Sequence, residues 1–405
     1  MRKIVIITTG QPSVNPRVVK EADALQAAGY EVTVLYCFWI KWAEDADKIL
    51  LKKVKWNYKL IGGSSSQNRG LYFFTKARFK ISRKLNEKLG NKLLLAERSQ
   101  ARCYNELLKA AKKIKADWYI GHNLGALPIA VKAAAYNRAY AGFDFEDYHR
   151  GENADTPLAE KKRIVFLEEK YVPGLSYVSS ASDLITEKIK TNFLHFSKQI
   201  ITLLNCFPVS QNLCGVNTAS HHKTLKLFWF SQTIGKNRGL EVVIDALKYL
   251  NNLDIHLTLA GRYDDEMKAH IEEHGSSFIG SIHIAGIINP DALPAFAAKF
   301  DVGLAAELKT PLNRDICLTN KIFTYITAGK CIIASDTSAQ KDFMKRYEVG
   351  LLYRSSDATD LAAKIYKLYN DRALLEQYKI NSKLLGETLM NWETESQKLL
   401  KVIEA

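Results

Sequence analysis

The sequence predicts an α/β protein built from two doubly wound, Rossmann-like domains that face each other across a cleft. Three observations predict this fold. The length of 405 residues exceeds what one core comfortably supports and favours two domains. The order strand, turn, helix, strand occurs at the start of the chain and again from residue 224. In both halves, further short apolar runs alternate with helical stretches, as expected for a parallel sheet.

The first half begins with the buried-strand run KIVIITTG at residues 3–10. A helix is predicted to follow and to end at Gly29, and the strand EVTVLYC comes next. These elements form one βαβ unit. Three later apolar runs of this half are predicted to be further parallel strands: DWYIGHN, AYAGFDFED and LSYVSS.

The second half repeats the unit with the strand TLKLFWFSQTIG, the helix GLEVVIDALKYL and the strand DIHLTLAG, which ends at Gly261. Four further strands are predicted: SIHIAG, DVGLAAE, KCIIASD and GLLYRS. In open parallel sheets, ligands bind outside the carboxyl ends of the strands. The residues that follow each strand are therefore the candidates for a site.

A linker is predicted between the halves at LLNCFPVSQNLCGVNTASHHK, residues 203–223, because this stretch lacks periodicity and carries Pro, Asn and Ser. The boundary is placed near Asn205. We therefore predict domains at residues 1–205 and 206–385, with residues 386–405 left for a final helix.

Composition indicates an ordinary globular protein, with 47% hydrophobic and 25% charged residues. The six cysteines lack CxxC or metal-ligand spacing, which fits a reducing cytoplasm and predicts neither a zinc site nor a disulfide framework. The first apolar run, Ile4 to Ile7, is too short for a signal peptide, and no run of eighteen apolar residues follows. We expect a cytoplasmic protein that is at most peripheral on the inner face of a membrane.

The positive charge is concentrated in one segment. Residues 41–115 hold 20 basic and 6 acidic residues, a surplus of 14, which equals the net charge of the whole chain. Within this segment, KARFKISRKLNEKLGNK interleaves Phe79, Ile81 and Leu85 with cations and predicts a basic amphipathic helix. Such a helix suits anionic lipid or nucleic acid, and it is equally consistent with a solvated helix face.

Two candidate phosphate sites follow strands of the second half. In SQTIGKNRGL, Gly235 and Gly239 flank Lys236 and Arg238 ahead of a helix, and cations beside a helix amino terminus suit a diphosphate. The alternative is a solvated basic turn.

The second candidate is the helix amino terminus at Thr319, Asn320 and Lys321, which offers free N–H groups and the positive end of a helix dipole. Here the alternative is a simple helix cap. Gly329 is predicted to end this helix as the C′ residue.

The string NKIFTYITAGKCIIASD resembles the donor-site signature of GT-B glycosyltransferases, in particular family 4 of the glycosyl transferases group 1. Three more strings resemble the family's donor domain in the same order: FWFSQTIGKNRGLEVVIDAL, LTLAGRY and IHIAGIINPDALPAFAAKFDVGLAAE. Together they cover most of residues 225–355. Four motifs in order are far more specific than any one of them.

The first half resembles the family less sharply. PSVNPRVVKEADALQAAGYEVTVL is similar to its amino-terminal loop and helix, GHN at 121–123 to its strand-end histidine element, and FEDYHRGE to its D-x-H element. NWETESQKLL resembles the last helix of the family, which crosses back over the first domain. The resemblance thus spans nearly the whole chain and makes the first domain the acceptor side and the second the donor side.

The resemblance implies a role for individual residues. Lys236 and Arg238 would neutralise the donor diphosphate, and His122 would lie near the transferred sugar. Gly10 would allow close approach of the backbone to the donor. The structural alternatives are a simple turn at Gly10 and a satisfied strand-end histidine at His122. The complete set of implied site residues is, for catalysis, His122, Lys236 and Arg238; for the donor, Gly10, Gly261, Arg262, Ile284, Glu307, Asn320, Lys321 and Thr324; and for the acceptor, Asn15, Arg17, Asp147 and His149.

The chain departs from the family at three positions. Many members carry a pair of glutamates in the signature, the second of which binds the ribose, and Ile316 and Thr324 stand at those positions here. Gln232 replaces a frequent arginine.

The implied function is a retaining, metal-independent transfer from a nucleotide-sugar donor, with no cofactor, to a glycan, lipid-linked or small-molecule acceptor in cell-envelope polysaccharide or glycolipid synthesis. The absence of a DxD-type carboxylate pair at a strand end agrees with metal independence. A non-catalytic sugar-nucleotide sensor or scaffold is the alternative, because the glutamate pair is replaced. An oxidoreductase is disfavoured because neither half carries G-x-G-x-x-G, and a nucleic-acid-binding role because no binding module is recognised. Motif spacing does not specify the sugar, the base or the acceptor.

Overall fold

The computed structural model describes residues 2–209, 224–274 and 282–405. Residues 210–223 of the predicted linker lie outside the described residues. The chain divides into two compact domains, the first comprising residues 1–203 and 396–405 and the second residues 204–395.

The sheet of the first domain has seven parallel strands in the order β3-β2-β1-β4-β5-β6-β7. The strands are β1 (Lys3–Thr8), β2 (Glu31–Cys37), β3 (Asn57–Ile61), β4 (Trp118–His122), β5 (Tyr140–Phe145), β6 (Tyr177–Ser180) and β7 (Gln199–Thr202). The helices are α1 (Pro16–Ala27), α2 (Ala43–Leu51), α3 (Arg69–Leu89), α4 (Leu95–Gln100), α5 (Tyr104–Lys113), α6 (Leu127–Asn137), α7 (Leu158–Tyr171) and α8 (Asp183–Asn192).

The described part of the second domain contains a six-stranded parallel sheet in the order β10-β9-β8-β11-β12-β13. The strands are β8 (Leu225–Ile234), β9 (Ile255–Tyr263), β10 (Ile282–Gly286), β11 (Val302–Ala305), β12 (Cys331–Ser335) and β13 (Gly350–Tyr353). The helices are α9 (Leu240–Leu247), α10 (Asp265–His274), α11 (Leu293–Ala297), α12 (Leu312–Ile316), α13 (Asn320–Thr327), α14 (Ser338–Arg346), α15 (Ala358–Asn370) and α16 (Arg372–Thr388). The last helix, α17 (Trp392–Glu404), begins in the second domain and belongs to the first from residue 396 onward.

The predicted fold class is confirmed, since both domains are parallel sheets with helical crossovers and each strand predicted from an apolar run is present. The sequence prediction missed β3 and β7. Both are short edge strands, and polar or half-exposed positions interrupt their apolar pattern.

Local sequence explains how the helices begin and end. Asn15 begins α1, where its side chain accepts from the Val18 N–H and Pro16 occupies the first helical position. Gly29 and Gly329 follow α1 and α13 with φ values of 92° and 62°, a backbone conformation that glycine adopts most readily.

The last helix contributes to the first domain. Leu399 and Ile403 are buried, and Arg2 donates a hydrogen bond of 3.2 Å to the Ile403 carbonyl. Among the described residues, no helix combines the length and the apolar character that a membrane crossing requires.

Candidate functional site

The phosphate loop, residues 235–239, joins β8 to α9 and packs against the segment that follows β11. Gly239 begins α9 with a φ of 73°, and a Cβ there would lie 3.0 Å from the carbonyl carbon of Ala306. A larger residue would therefore push the loop away from β11. Arg314 of α12 also donates a hydrogen bond to the Asn237 carbonyl of the loop.

Glu307 and Lys321 form a buried ion pair beside this loop. Their Oε1 and Nζ atoms lie 2.6 Å apart, and the residues are only 5% and 7% exposed. The Lys321 ammonium also lies 5.3 Å from the centre of the Trp229 ring, a cation–π distance. The sequence predicted both charged residues as donor contacts, and the structure pairs them with each other.

The amino terminus of α13 lies at the same carboxyl edge of the sheet. Thr319 precedes the helix in an extended conformation, but among the described residues its buried hydroxyl makes no capping bond and has no hydrogen-bond partner. Asn320 accepts a hydrogen bond of 2.7 Å from the side chain of Asn205. Within the part of the chain that the structure describes, the N-cap side chain therefore does not cover the first N–H groups of α13, which suits them to an anion.

The two cations of the phosphate loop, Lys236 and Arg238, are more accessible to solvent than Lys321. Lys236 is exposed and lies 3.6 Å from Glu266, an ion pair that water screens strongly. Arg238 is half-buried beside Gly239. The contact of these cations with a diphosphate stays a prediction.

Of four other predicted donor residues, three contribute to folding and the fourth, Arg262, is exposed. Thr324 has no exposed surface and donates its hydroxyl to the Asn320 carbonyl, so a donor contact is unavailable to it in this conformation. Gly261 has a φ of 145°, and a Cβ there would lie 2.3 Å from the Ser231 carbonyl oxygen, so strand packing demands this glycine. Ile284 packs against the core from β10, and Arg262 is exposed on β9.

In the first domain, Gly10 follows β1 at the carboxyl edge of the sheet. A Cβ added there would lie 3.8 Å from Thr8 Oγ1 and 4.0 Å from Asn123 Oδ1, which are ordinary contact distances. Packing against the described residues therefore does not require a glycine at this position, and the close approach of a donor to Gly10 stays a prediction.

Arg17 anchors a buried charge cluster at the same edge. Its guanidinium donates two hydrogen bonds of 2.7 and 2.6 Å to the Asp144 carboxylate and one of 2.8 Å to the Leu203 carbonyl. Burial alone would raise the pKa of Asp144, but Arg17 lowers it below its usual value. These bonds engage Arg17 within the fold, so the acceptor contact predicted for it is unavailable in this arrangement.

His122 lies inside this cluster with no exposed surface. Its Nε2 is 3.2 Å from Glu21, and its Nδ1 is 3.6 Å from Asp144 and 3.9 Å from Glu146. Burial alone would lower the pKa of His122, but the carboxylates raise it to about 10. The ring is therefore an imidazolium at neutral pH, and its placement corresponds to the structural alternative rather than to direct contact with a sugar.

The remaining acceptor residues surround the end of β5. Asn15 is buried and donates to Glu146 at 3.1 Å, while Asp147 is half-buried. His149 is also buried, with Nδ1 3.3 Å from Glu152, and its Nε2 has no hydrogen-bond partner among the residues that the structure describes. Burial lowers the pKa of His149, but Glu152 raises it above its usual value.

The ligand atoms of Glu21, His122 and Asp144 lie close enough together to hold a metal ion, as judged within the described residues. Arg17 already provides positive charge there, with Nη2 2.6 Å from Asp144 and 4.0 Å from Glu21. The sequence could not reveal this cluster, because Glu21 has the appearance of an ordinary helix-surface residue at i+4 from Arg17.

Comparisons with known proteins concern the family and the fold. Residues 225–371 match the family model of glycosyl transferases group 1. No curated protein sequence matches the chain.

Three solved structures illustrate the likeness over the whole chain. HepE of Anabaena in complex with UDP and glucose is 14% identical, with 100% of both chains covered and a TM-score of 0.68. A glycosyltransferase from Rickettsia africae is 12% identical, covers 99% of this chain and 97% of its own, and has a TM-score of 0.69. WaaG, a glycosyltransferase involved in lipopolysaccharide biosynthesis, is 11% identical, with 99% of this chain and 100% of its own covered and a TM-score of 0.66. The family match over residues 225–371 and the shared fold confirm the predicted resemblance: the second domain matches the glycosyl transferases group 1, and the chain has the GT-B fold.

Proposed function

We propose that this glycosyltransferase moves a sugar from a nucleotide-sugar donor to an acceptor with retention of configuration and without a metal. The observation that carries the proposal is the convergence of the phosphate loop and the α13 amino terminus at the carboxyl edge of the second sheet. Free N–H groups and cations at such an edge suit a diphosphate. Retention and metal independence rest on the resemblance to family 4.

The charged residues of the site have two different roles. Lys321 is balanced by Glu307 at 2.6 Å, so this pair fixes the amino terminus of α13 and adds little net charge. Lys236 and Arg238 therefore supply the positive charge that stabilises the leaving diphosphate. UDP-sugars are the first donors to test, because the HepE structure contains UDP and glucose.

For the acceptor we propose a glycan or a lipid-linked precursor in cell-envelope polysaccharide or glycolipid synthesis, with a soluble small molecule as the other class. Two observations support this choice: WaaG is involved in lipopolysaccharide biosynthesis, and residues 41–115 carry a surplus of 14 positive charges. Each surface cation contributes about 1 kcal/mol of attraction to an anionic membrane. We therefore place the enzyme in the cytoplasm, on the inner face of the membrane.

A non-catalytic nucleotide-sugar sensor is the second candidate. It is favoured by the replacement of the family's glutamate pair with Ile316 and Thr324, which are 4% and 0% exposed. Neither residue offers a carboxylate to a donor. A sensor would bind a nucleotide sugar without transferring or hydrolysing it.

The first experiment is a thermal-shift screen with UDP-, GDP- and ADP-sugars, in which a selective donor raises the melting temperature. The identified donor is then used to measure turnover. Slow hydrolysis or transfer of the bound sugar supports the enzyme, and saturable binding with neither reaction supports the sensor.

The second experiment tests the phosphate contacts. Arg238→Ala and Lys236→Ala each remove a charge-assisted contact of about 1.5–3 kcal/mol, which corresponds to a roughly 10- to 150-fold loss of kcat/KM. Lys226→Ala is the matched control, because Lys226 is an exposed cation at the opposite end of the same strand, β8. Unchanged turnover in both loop variants would refute the phosphate assignment.

A further inference from the structure

Helix α3 exposes several large apolar side chains to solvent, while its fully buried positions are polar. Thr75, Ser82 and Asn86 are buried, with exposed fractions of 4% or less. The side chains of Phe73, Ile81, Leu85 and Leu89 are 40–58% exposed. This is the reverse of the usual pattern of a helix on the surface of a water-soluble protein.

The exposed residues form two parallel ridges. The apolar ridge repeats every four residues and consists of Phe73, Ala77, Ile81, Leu85 and Leu89, all of which are exposed. A lysine ridge with the same period consists of Lys76, Lys80, Lys84 and Lys88, which are also exposed. Positions three apart differ by about 60° around a helix, so the two ridges run side by side.

Exposed aromatic residues lie near the amino-terminal end of the ridges. Trp39 and Trp42 are 63% and 49% exposed. They belong to the segment whose Phe38 ring contacts Tyr72 of α3, with ring centroids 5.6 Å apart. Tryptophan side chains favour the headgroup level of a membrane because one part of the ring is apolar and its N–H is polar.

Charge complementarity indicates what covers this face. Glu87 is the only acidic residue between positions 69 and 94, so the surface has almost nothing to offer a basic partner. An anionic bilayer meets both ridges at once, because its headgroups attract the lysines while its hydrocarbon boundary accepts the apolar side chains. The aliphatic stems of the lysines let their ammonium groups reach the headgroups from beside the apolar ridge.

We propose that the face formed by the two ridges of α3, with Trp39 and Trp42, inserts into the headgroup boundary of an anionic bilayer. The inference extends the membrane placement proposed above, which requires only charge attraction. Salt screens charge attraction, but it does not screen the burial of apolar side chains. Insertion therefore predicts that part of the binding survives high salt.

The test is sedimentation of the full chain with sucrose-loaded vesicles of phosphatidylglycerol and phosphatidylcholine in equal amounts, and with phosphatidylcholine alone, over a salt series. We expect binding to the anionic vesicles and a bound fraction that persists at 1 M salt, where the Debye length is about 3 Å. Ile81→Ser with Leu85→Ser should lower the partition coefficient about tenfold or more at every salt concentration. Lys80→Gln with Lys84→Gln should weaken binding at low salt and leave the salt-resistant part unchanged.

The chain offers a matched control. Ile380 and Leu384 of α16 have the same residue types and spacing and are 60% and 59% exposed in the second domain. Ile380→Ser with Leu384→Ser should leave vesicle binding unchanged. Quenching of tryptophan fluorescence by brominated phosphatidylcholine in mixed vesicles reports depth, and it should decrease when Trp39 and Trp42 are both changed to Phe.

The outcomes separate the inference from the proposed function. If 1 M salt releases all of the bound protein, and Ile81→Ser with Leu85→Ser binds vesicles as well as its control, insertion is overturned and only an electrostatic attachment is left. If the protein does not bind anionic vesicles at low salt, both membrane proposals are overturned. If the protein is a dimer that Ile81→Ser with Leu85→Ser converts to a monomer, the face binds a second copy of the chain instead. Hydrolysis of the nucleotide sugar, measured without vesicles, tests the transferase proposal independently of all these results.

Discussion

Because the carboxylates raise the pKa of His122 from 6.5 to about 10, His122 makes a pH-dependent contribution to stability. A group whose pKa is higher in the folded state stabilises the fold fully below its unfolded pKa, and the contribution is lost as pH rises through the folded pKa. With about 1.4 kcal/mol for each pKa unit, about 3.5 kcal/mol should be lost between pH 7 and pH 10.

The perturbation is His122→Gln, which fills a similar volume without a titratable ring. The difference in unfolding free energy between the wild type and this variant should shrink by about 1.4 kcal/mol for each pH unit between 7 and 9.5. Tyrosines and lysines that titrate in the same range are common to both proteins and cancel in the difference.

The assay is urea unfolding of the full chain at a series of pH values, in which tryptophan fluorescence monitors the unfolding of the first domain. Four of the six tryptophans belong to this domain, namely Trp39, Trp42, Trp56 and Trp118. A difference that stays constant from pH 7 to 9.5 would mean that His122 is neutral in the folded protein, and the reasoning from its three carboxylate neighbours would then fail. A confirmed imidazolium would exclude His122 as a general base at neutral pH.

Three further predictions concern the other residues of the two domains. Activity should survive a chelator such as EDTA, and complete loss that Mg²⁺ or Mn²⁺ restores would rule out a metal-free transfer. Gly10→Ala should change the unfolding free energy by less than about 0.5 kcal/mol yet reduce donor turnover. Its control, Gly261→Ala, should be severely destabilised because the added Cβ would contact a carbonyl oxygen. Normal turnover of Gly10→Ala would contradict the close approach of the donor to Gly10. Arg17→Ala leaves Asp144 buried without its partner and should cost about 3–5 kcal/mol in urea unfolding. The control is Lys3→Ala, which breaks a half-exposed ion pair with Glu31 and should cost about 1 kcal/mol or less. Equal losses of stability in the two variants would contradict the structural role assigned to the Arg17–Asp144 pair.

The sequence predicted most of the sheet because the central strands are continuous apolar runs, such as KIVIIT in β1 and CIIAS in β12. It could not predict edge strands such as β3, whose first three residues are exposed. At these positions the ladder of backbone hydrogen bonds, rather than side-chain burial, defines the strand.

The candidate sites were predictable by position but not by partner. Strand-end residues such as Lys236 and Asn320 follow from the rule for parallel sheets. The pairing of Glu307 with Lys321, and the burial of Glu21 against His122, depend on contacts between elements distant in sequence. Similarly, periodicity identified α3 as amphipathic but could not indicate that its apolar side faces solvent.

The division of the chain has a consequence for its synthesis. The second domain is continuous, residues 204–395, whereas the first consists of residues 1–203 and 396–405. The ribosome therefore completes the second domain before it supplies the segment that carries Leu399 and Ile403, which are buried in the first. Until then, the apolar surface of residues 1–203 that Leu399 and Ile403 cover stays exposed. The first domain is therefore the first to be translated but the second to finish folding.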